Sequence, residues 1–294
     1  MQFTINSDFH NSRLDTFIRK TYQEIPMSGI FKMIRKGHVK VNKKKKKQNY
    51  RLQEGDLVRV WEPSAPTAAK SLLTLSANEK NLIERCIVYE DDNILLCNKP
   101  PGMVMHAGSD HLYGLTELVL SYTQNPHFTF VHRIDKMTSG LVIGSKNLRT
   151  SRKLSKLIRE RSIEKRYVML VHGNIKTRHF TLDTFLKTEG DRVRVHPDET
   201  DGAKKSSSTF SVMQQGPNRT MLEAVLHTGR KHQLRVQLAE IGHPIVGDIK
   251  YGSLENIKET KNEMFLFSQC VVIPSLPIHV TLPVPDVYFS SISL

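Results

Sequence analysis

Cysteine is nearly absent from this 294-residue chain. The three present, Cys86, Cys97 and Cys270, are scattered without C-x-x-C spacing. That excludes a disulfide scaffold and a structural zinc site, and suits reduced, buried thiols of a cytoplasmic protein. No apolar run approaches the ~20 residues that span a bilayer. The segment Met1–Asn6 has no basic stretch followed by an apolar one, so no secretory leader is expected. No basic amphipathic helix with a broad apolar face is visible, which argues against a membrane-surface role. A glycine-rich loop of the G-x-x-x-x-G-K-[ST] kind is missing, so nucleotide hydrolysis is not indicated. His227 and His232 lack metal-ligand spacing and companion ligands, and no metal is expected. There is no internal repeat.

Acidic residues are the other shortage. Asp plus Glu number 29 against 43 Lys plus Arg, a net charge of +14. Hydrophobic content of 38% is ordinary for a globular protein, so the imbalance does not signal disorder. It points to an anionic partner, with nucleic acid first. Residues 1–61 hold 14 Lys plus Arg and 5 Asp plus Glu, a net of +9, so the front fifth carries most of the excess.

That front reads as a small basic module, 1–61. Leu14, Phe17 and Ile18 have helical spacing, as do Ile30, Met33 and Ile34, and Gly37 looks like a helix C-cap. Val39–Val41 and Val58–Trp61 alternate as short strands. Lys32, Arg35 and Lys36 on the second helix precede the run Lys43, Lys44, Lys45, Lys46 and Lys47. Such runs are usually solvated, but this placement gathers cations for phosphate contacts. Residues 62–80, with Pro63 and Pro66, read as a linker.

From 81 to 294 the pattern becomes short β-rich runs: Ile87–Tyr89, Ile94–Cys97, Leu141–Ile143, Tyr167–Val171, Met221–Val225 and Val271–Ile273. Helical stretches lie at 150–161 and 231–241. Many strands with few helices predict an α+β fold around a mostly antiparallel, mixed sheet.

The most informative stretch is Val131–Leu141. One carboxylate, Asp135, stands among His132, Arg133 and Lys136, and the loop opens onto the apolar Leu141–Ile143. A second carboxylate is not near it, so a two-carboxylate glycosidase gains no support. Spacing alone leaves a surface ion pair with Arg133 or Lys136 as the plainer reading.

Two resemblances change the balance. Ser12-Arg13-Leu14-Asp15-x-Phe17-Ile18, Ile34-Arg35-Lys36-Gly37-x-Val39-x-Val41-Asn42-Lys43 and Leu52-x-x-Gly55-Asp56-x-Val58 together resemble an S4-type RNA-binding domain. His132-Arg133-Ile134-Asp135-Lys136-x-Thr138-Ser139-Gly140-Leu141 resembles the catalytic motif of the RluA-type pseudouridine synthases. Asn98-Lys99-Pro100-Pro101-Gly102-Met103, Glu164-Lys165-x-Tyr167, Thr228-Gly229-Arg230-x-His232-Gln233-Leu234-Arg235 and Gly242–Gly252 match further segments of that family in order. The nearest likeness is to the RluC/RluD group, which modifies large-subunit ribosomal RNA.

The resemblance implies isomerisation of uridine to pseudouridine in RNA, 23S ribosomal RNA first, by a cytoplasmic monomer without metal or cofactor. It implies Asp135 as the essential carboxylate, which must be ionised to attack or to take a proton. Arg235 would pair with it bidentately, and Tyr167 would stack on the uracil. Arg133, or His132 beside it, would fill the gap left by the flipped base. Lys99, Arg230 and His106 would contact the RNA backbone. The alternatives are a phosphate-binding role for Arg235, a core position for Tyr167, and surface charge or turn packing for the last three. Gln237 stands where relatives often have His, and 198–208 is a polar loop where they carry a different turn. A non-catalytic RNA-binding assembly factor is the competing function.

Overall fold

The computed structural model describes residues 1–22, 25–61, 72–108, 111–199, 202–252 and 263–293. The chain divides into two compact units, Met1–Ser71 and Leu72–Leu294.

In the first unit, β1 (Gln2–Thr4), β2 (Val39–Val41) and β3 (Leu57–Val60) form an antiparallel sheet in the order β1-β3-β2. Helices α1 (Leu14–Thr21) and α2 (Met27–Lys36) cover it. The helical spacing read from the sequence is the buried face: Leu14, Phe17 and Ile18 meet Ile30, Met33 and Ile34 over Val39, Val41, Val58 and Val60. Burying each such side chain contributes roughly 1.5–3 kcal/mol. α2 stops at Gly37, whose φ of 79° allows the left-handed cap.

The second unit begins earlier than the linker reading placed it. Residues 62–71 lie outside the described residues. Leu73 and Leu75 already pack on the core, the Leu73 N–H donates to Ser121 Oγ at 2.9 Å, and α3 (Ala77–Cys86) starts inside 62–80. Ser76 and Glu79 form a capping box at its start, a signal passed over in a stretch read as polar linker.

An eleven-stranded sheet follows, built from β4 (Ile87–Glu90), β5 (Ile94–Lys99), β6 (Thr129–Phe130), β7 (Ser139–Ser145), β8 (Glu164–His172), β9 (His179–Glu189), β10 (Arg192–His196), β11 (Lys204–Gln215), β12 (Arg219–Leu226), β13 (Leu266–Ile273) and β14 (Ile278–Thr281). Its order is β10-β9-β11-β12-β8-β13-β7-β5-β4, with β14 on β13 and β6 on β7. All pairs are antiparallel except β13 with β7, where Phe267 and Ser268 run beside Ser139 and Gly140. The α+β reading therefore holds, with one parallel join at the centre.

Strand alternation sorts the core onto two faces. Leu95, Cys97, Val142, Tyr167 and Met169 face α4 (Leu115–Tyr122), whereas Leu96, Leu141 and Ile143 face α5 (Leu148–Arg159). α6 (Gln233–Glu240) and α7 (Asp286–Ile292) complete the unit. Gly140 has φ of 103°, and a Cβ there would run into the Ser268 carbonyl. The parallel join thus needs glycine at the point where the Val131–Thr138 loop enters the sheet.

The polar 198–208 segment is not a loop over its second half. Lys204–Ser208 starts β11, and Ser206 and Ser208 are fully buried. Gln237 answers their hydroxyls: Ser208 Oγ donates to Gln237 Oε1 at 2.8 Å, and Gln237 Nε2 donates to Leu182 O at 3.0 Å. Gln237 is a buried packing residue, out of reach of RNA.

Candidate active site

The Val131–Thr138 loop runs between β6 and β7, and its backbone is pinned from below. His132 Nε2 accepts the Ile143 N–H at 3.0 Å. Burial, helped by the Lys165 charge, holds His132 down at about 3, so the ring is neutral and acts as an acceptor. Lys99 is 0% exposed, and its Nζ donates to Pro100 O, Met103 O and Lys136 O at 2.8, 2.9 and 2.9 Å. Burial lowers Lys99 to about 7, while Asp135 pulls the other way. Three carbonyls require three N–H groups, which only the ammonium supplies.

Lys99 was expected on the RNA backbone and His132 beside the flipped base. Lys99 is a correction: it is turned into the protein, where it holds the loop. His132 pins the loop through Ile143 and, half-buried, also lines the cleft. Arg133 and Arg230 are exposed at the cleft; His106 is exposed but is not part of its lining.

Asp135 stands at the wall of an open cleft of about 1480 Å³, together with Arg133, Tyr167, His232 and Arg235. Arg235 comes from the first turns of α6, a hundred residues away in sequence. The turn before α6 is fixed by Gln233, whose Oε1 accepts from Thr228 Oγ1 and Arg230 N–H at 2.8 and 3.0 Å. Arg235 Nη1 donates to Asp135 Oδ2 at 3.0 Å. The expected bidentate pair is made elsewhere: Arg235 Nε and Nη2 donate to Asp248 at 2.7 and 2.8 Å. Burial opposes the Asp248 charge, but Arg235 and the N–H groups of Lys250 and Tyr251 override it and hold the carboxyl below its usual range. Burial opposes the Arg235 charge too, and the two carboxylates raise its pKa. Asp248 therefore fixes the guanidinium plane, and one remaining N–H is presented to Asp135.

A second arm reaches the same oxygen. His232 caps α6 in the left-handed region, with φ of 54°. Its Nε2 lies 3.7 Å from Asp135 Oδ2, and its Nδ1 lies 2.7 Å from the Tyr251 hydroxyl. That hydroxyl also accepts the Val193 N–H at 3.0 Å. Burial lowers His232 to about 4 against the pull of Asp135, with Arg235, Lys231 and Lys250 adding to the lowering. The ring facing Asp135 is neutral at neutral pH.

Tyr167 is 6% exposed and lines the cleft. Burial raises its phenol to about 12, with the Ser268 hydroxyl opposing and Asp135 reinforcing the rise. Tyr167 shares one side of β8 with Met169, while Val168 and Leu170 pack on the other. Core packing and cleft lining are both true of it.

The structure thus brings Asp135, Tyr167, Arg235, Arg133 and Arg230 to one cleft. Sequence reasoning missed the roles of Asp248, His232 and Tyr251. The 242–252 segment held the signal, a lone carboxylate in a strongly basic chain, but spacing gave it no partner. The cations of the front unit form a separate group. Lys32, Arg35, Lys36, Lys43, Lys44, Lys45 and Lys47 are exposed, and Lys46 lies 4.5 Å over the Tyr50 ring. The Lys45 stem passes beside Gly37, so the run adjoins the end of α2. No group of His, Cys, Asp and Glu among the described residues has the arrangement of a metal site. No helix among them is long and apolar enough to cross a membrane.

Comparison with known proteins gives concordant matches. Residues 93–240 match the RNA pseudouridylate synthase family model, and residues 12–58 match the S4 domain model. A ribosomal large subunit pseudouridine synthase C from Buchnera aphidicola is 34% identical over 98% of this chain and 94% of its own length. The proteins of that name from Vibrio vulnificus and Haemophilus influenzae are 36% and 34% identical, over 84% and 90% of this chain and 79% and 84% of theirs. Human RNA pseudouridylate synthase domain containing 4 superposes with a TM-score of 0.60 at 20% identity, over 72% of this chain and 93% of that one. It supports the fold.

Proposed function

The chain belongs to the RNA pseudouridylate synthase family with an S4 domain in front, and from that premise we propose that it isomerises uridines of large-subunit ribosomal RNA, with Asp135 as the reacting carboxylate. The observation that carries this reading is the Asp135–Arg235 pair at 3.0 Å, set in a basic cleft beside Tyr167.

The reaction breaks the N1–C1′ bond, turns the uracil, and joins C5 to C1′. The C5 proton is lost and N1 gains one, so atoms and electrons balance without a co-reactant. An ionised Asp135 has three acts open to it: attack on the sugar, attack on the base, or removal of the C2′ proton. Each needs an ionised carboxylate beside a fixed cation. Arg235, immobilised by Asp248, supplies the cation, and neutral His232 stands 3.7 Å from the same carboxylate without adding charge. Tyr167 stays a phenol at neutral pH and offers a ring face for the uracil and a hydroxyl near C5. Arg133, exposed at the mouth, fills the stack when the base leaves it. The S4 unit adds sequence-poor phosphate contacts through Lys32, Arg35, Lys36 and Lys43–Lys47. Asp135, Tyr167, Arg235 and Asp248 all come from one chain, so the proposed chemistry asks for no residue of a second copy, in keeping with the proposed monomer.

Release of tritium from ribosomal RNA labelled at uridine C5 tests this directly. The full chain is expected to release it and Asp135→Asn to release none. RNA binding with no release by the parent chain would favour the non-catalytic reading.

A further inference from the structure

α5 carries a charge pattern that neither the sequence reading nor the catalytic geometry uses. Arg149, Arg152, Lys153, Lys156 and Arg159 are exposed. At 100° per residue they fall within about 120° of the helix circumference, along about 15 Å of its length. The opposite face is apolar: Leu154 is buried, and Leu157 and Ile158 pack with Leu141 and Ile143 of β7. The basic face therefore points to solvent from a helix seated on the strand that leaves the catalytic loop.

The stripe continues into the cleft. Ile158, Arg159, Arg161 and Lys165 line the same cleft as Asp135 and Tyr167. The turn between α5 and β8 is tight, with Arg161 at φ of 58° and the Ser162 N–H bonded to Leu157 O at 2.9 Å. Its acids are already engaged: Glu160 lies 3.8 Å from Lys156, and Glu164 lies 2.6 Å from Arg166. Among the described residues, Arg159, Arg161 and Lys165 have no acidic partner. Lys165 is the extreme case. It shares a strand face with Tyr167, stands beside Gly229, and is desolvated enough to lower its pKa. A half-buried ammonium without a counter-ion is costly unless an anion arrives.

We infer that α5 and the turn after it form a phosphate track that grips the RNA strand flanking the target uridine and ends on Lys165 beside the reacting nucleotide. The inference rests on the proposed function and adds a second RNA grip, in the catalytic unit itself. RNA phosphates fit better than an acidic protein surface, because the stripe is continuous with the cleft that must admit a nucleotide.

The test uses the full chain and a large-subunit ribosomal RNA fragment. Arg149→Gln, Arg152→Gln and Lys153→Gln combined lie on the solvent face and spare the apolar one. They are expected to raise KM, keep kcat at saturating RNA, and make log K against log salt shallower by about 2–3, from three phosphates at 0.7–0.9 each. Lys165→Met keeps the stem packed, and is expected to lower kcat/KM by about 10- to 100-fold, the loss of one charge-assisted hydrogen bond. An unchanged salt slope in the triple variant, with parental turnover, would overturn the track and leave the enzyme reading intact. Unchanged binding to naked RNA with weakened binding to large-subunit particles would assign the stripe to a protein and also overturn it. No tritium release by the parent chain would sink the enzyme reading instead, while the binding slopes still judge the track.

Discussion

Replacing Asp248 with Asn separates the support of the site from its chemistry. Asp248 is 1% exposed and accepts two Arg235 N–H groups and two backbone N–H groups. Asn keeps the shape but removes the charge, and turns an NH2 toward a guanidinium that cannot accept it. Breaking a buried pair by removing one partner costs about 3–5 kcal/mol. For a unit of this size that is roughly 6–20 °C in melting temperature. Asp135 differs. Its side chain is 21% exposed and takes one N–H from an arginine that Asp248 still holds. Asp135→Asn should therefore cost less stability than Asp248→Asn, because Arg235 keeps its buried partner Asp248, while abolishing isomerisation. Asp248→Asn should melt early and, below its melt, turn over slowly, because the Nη1 donor loses its fixed direction. Thermal melts and tritium release on both variants make the check. Asp248→Asn with a parental melt and parental kcat would refute the division of labour.

Three other perturbations test neighbouring parts. Lys99→Met leaves the carbonyls of Pro100, Met103 and Lys136 buried without donors. At about 1–3 kcal/mol each, a urea midpoint unchanged from the parent would contradict the anchoring role. His132 and His232 stay neutral in the fold down to about 3 and about 4, against 6.5 when unfolded. Only the unfolded chain takes up protons as pH falls from 6.5 toward 4, so stability is full above 6.5 and lost below it, by at most about 1.4 kcal/mol per pH unit for each histidine. His132→Gln, which keeps an acceptor for Ile143, should flatten that fall in pH-dependent melts, and an identical slope would remove His132 as its source. Gly140→Ala places a side chain at φ of 103° against the Ser268 carbonyl. Poor folding together with lost turnover is expected, and a soluble, fully active Ala variant would show that the β7–β13 join has slack.

What the sequence disclosed followed from local signals. Helical spacing in 14–18 and 30–34, the Gly37 cap and the apolar runs of β5, β7, β8, β12 and β13 all lie within a few residues of one another. β9 was invisible because His179–Glu189 alternates exposed polar residues with half-buried ones and has no apolar run. Ser206 and Ser208 look like loop residues until Gln237, some thirty positions on, is seen to satisfy them. The same distance problem shaped the site. Asp135, Tyr167 and Arg235 were legible through motif likeness. The second partner of the Arg235 guanidinium, Asp248, was not, since a fork can pair two carboxylates and spacing does not say which receives the bidentate side. Lys99 misled because basic side chains in an RNA-acting chain are first read as contacts. Burial, which turns it into a loop anchor, is a property of the fold.

The most direct test of the central claim is carbodiimide mapping of large-subunit ribosomal RNA treated with the full chain or with Asp135→Asn, at concentrations where both bind equally. The account predicts discrete new pseudouridines with the parent chain and none with the variant. The same sites appearing at the same rate with Asp135→Asn would contradict it.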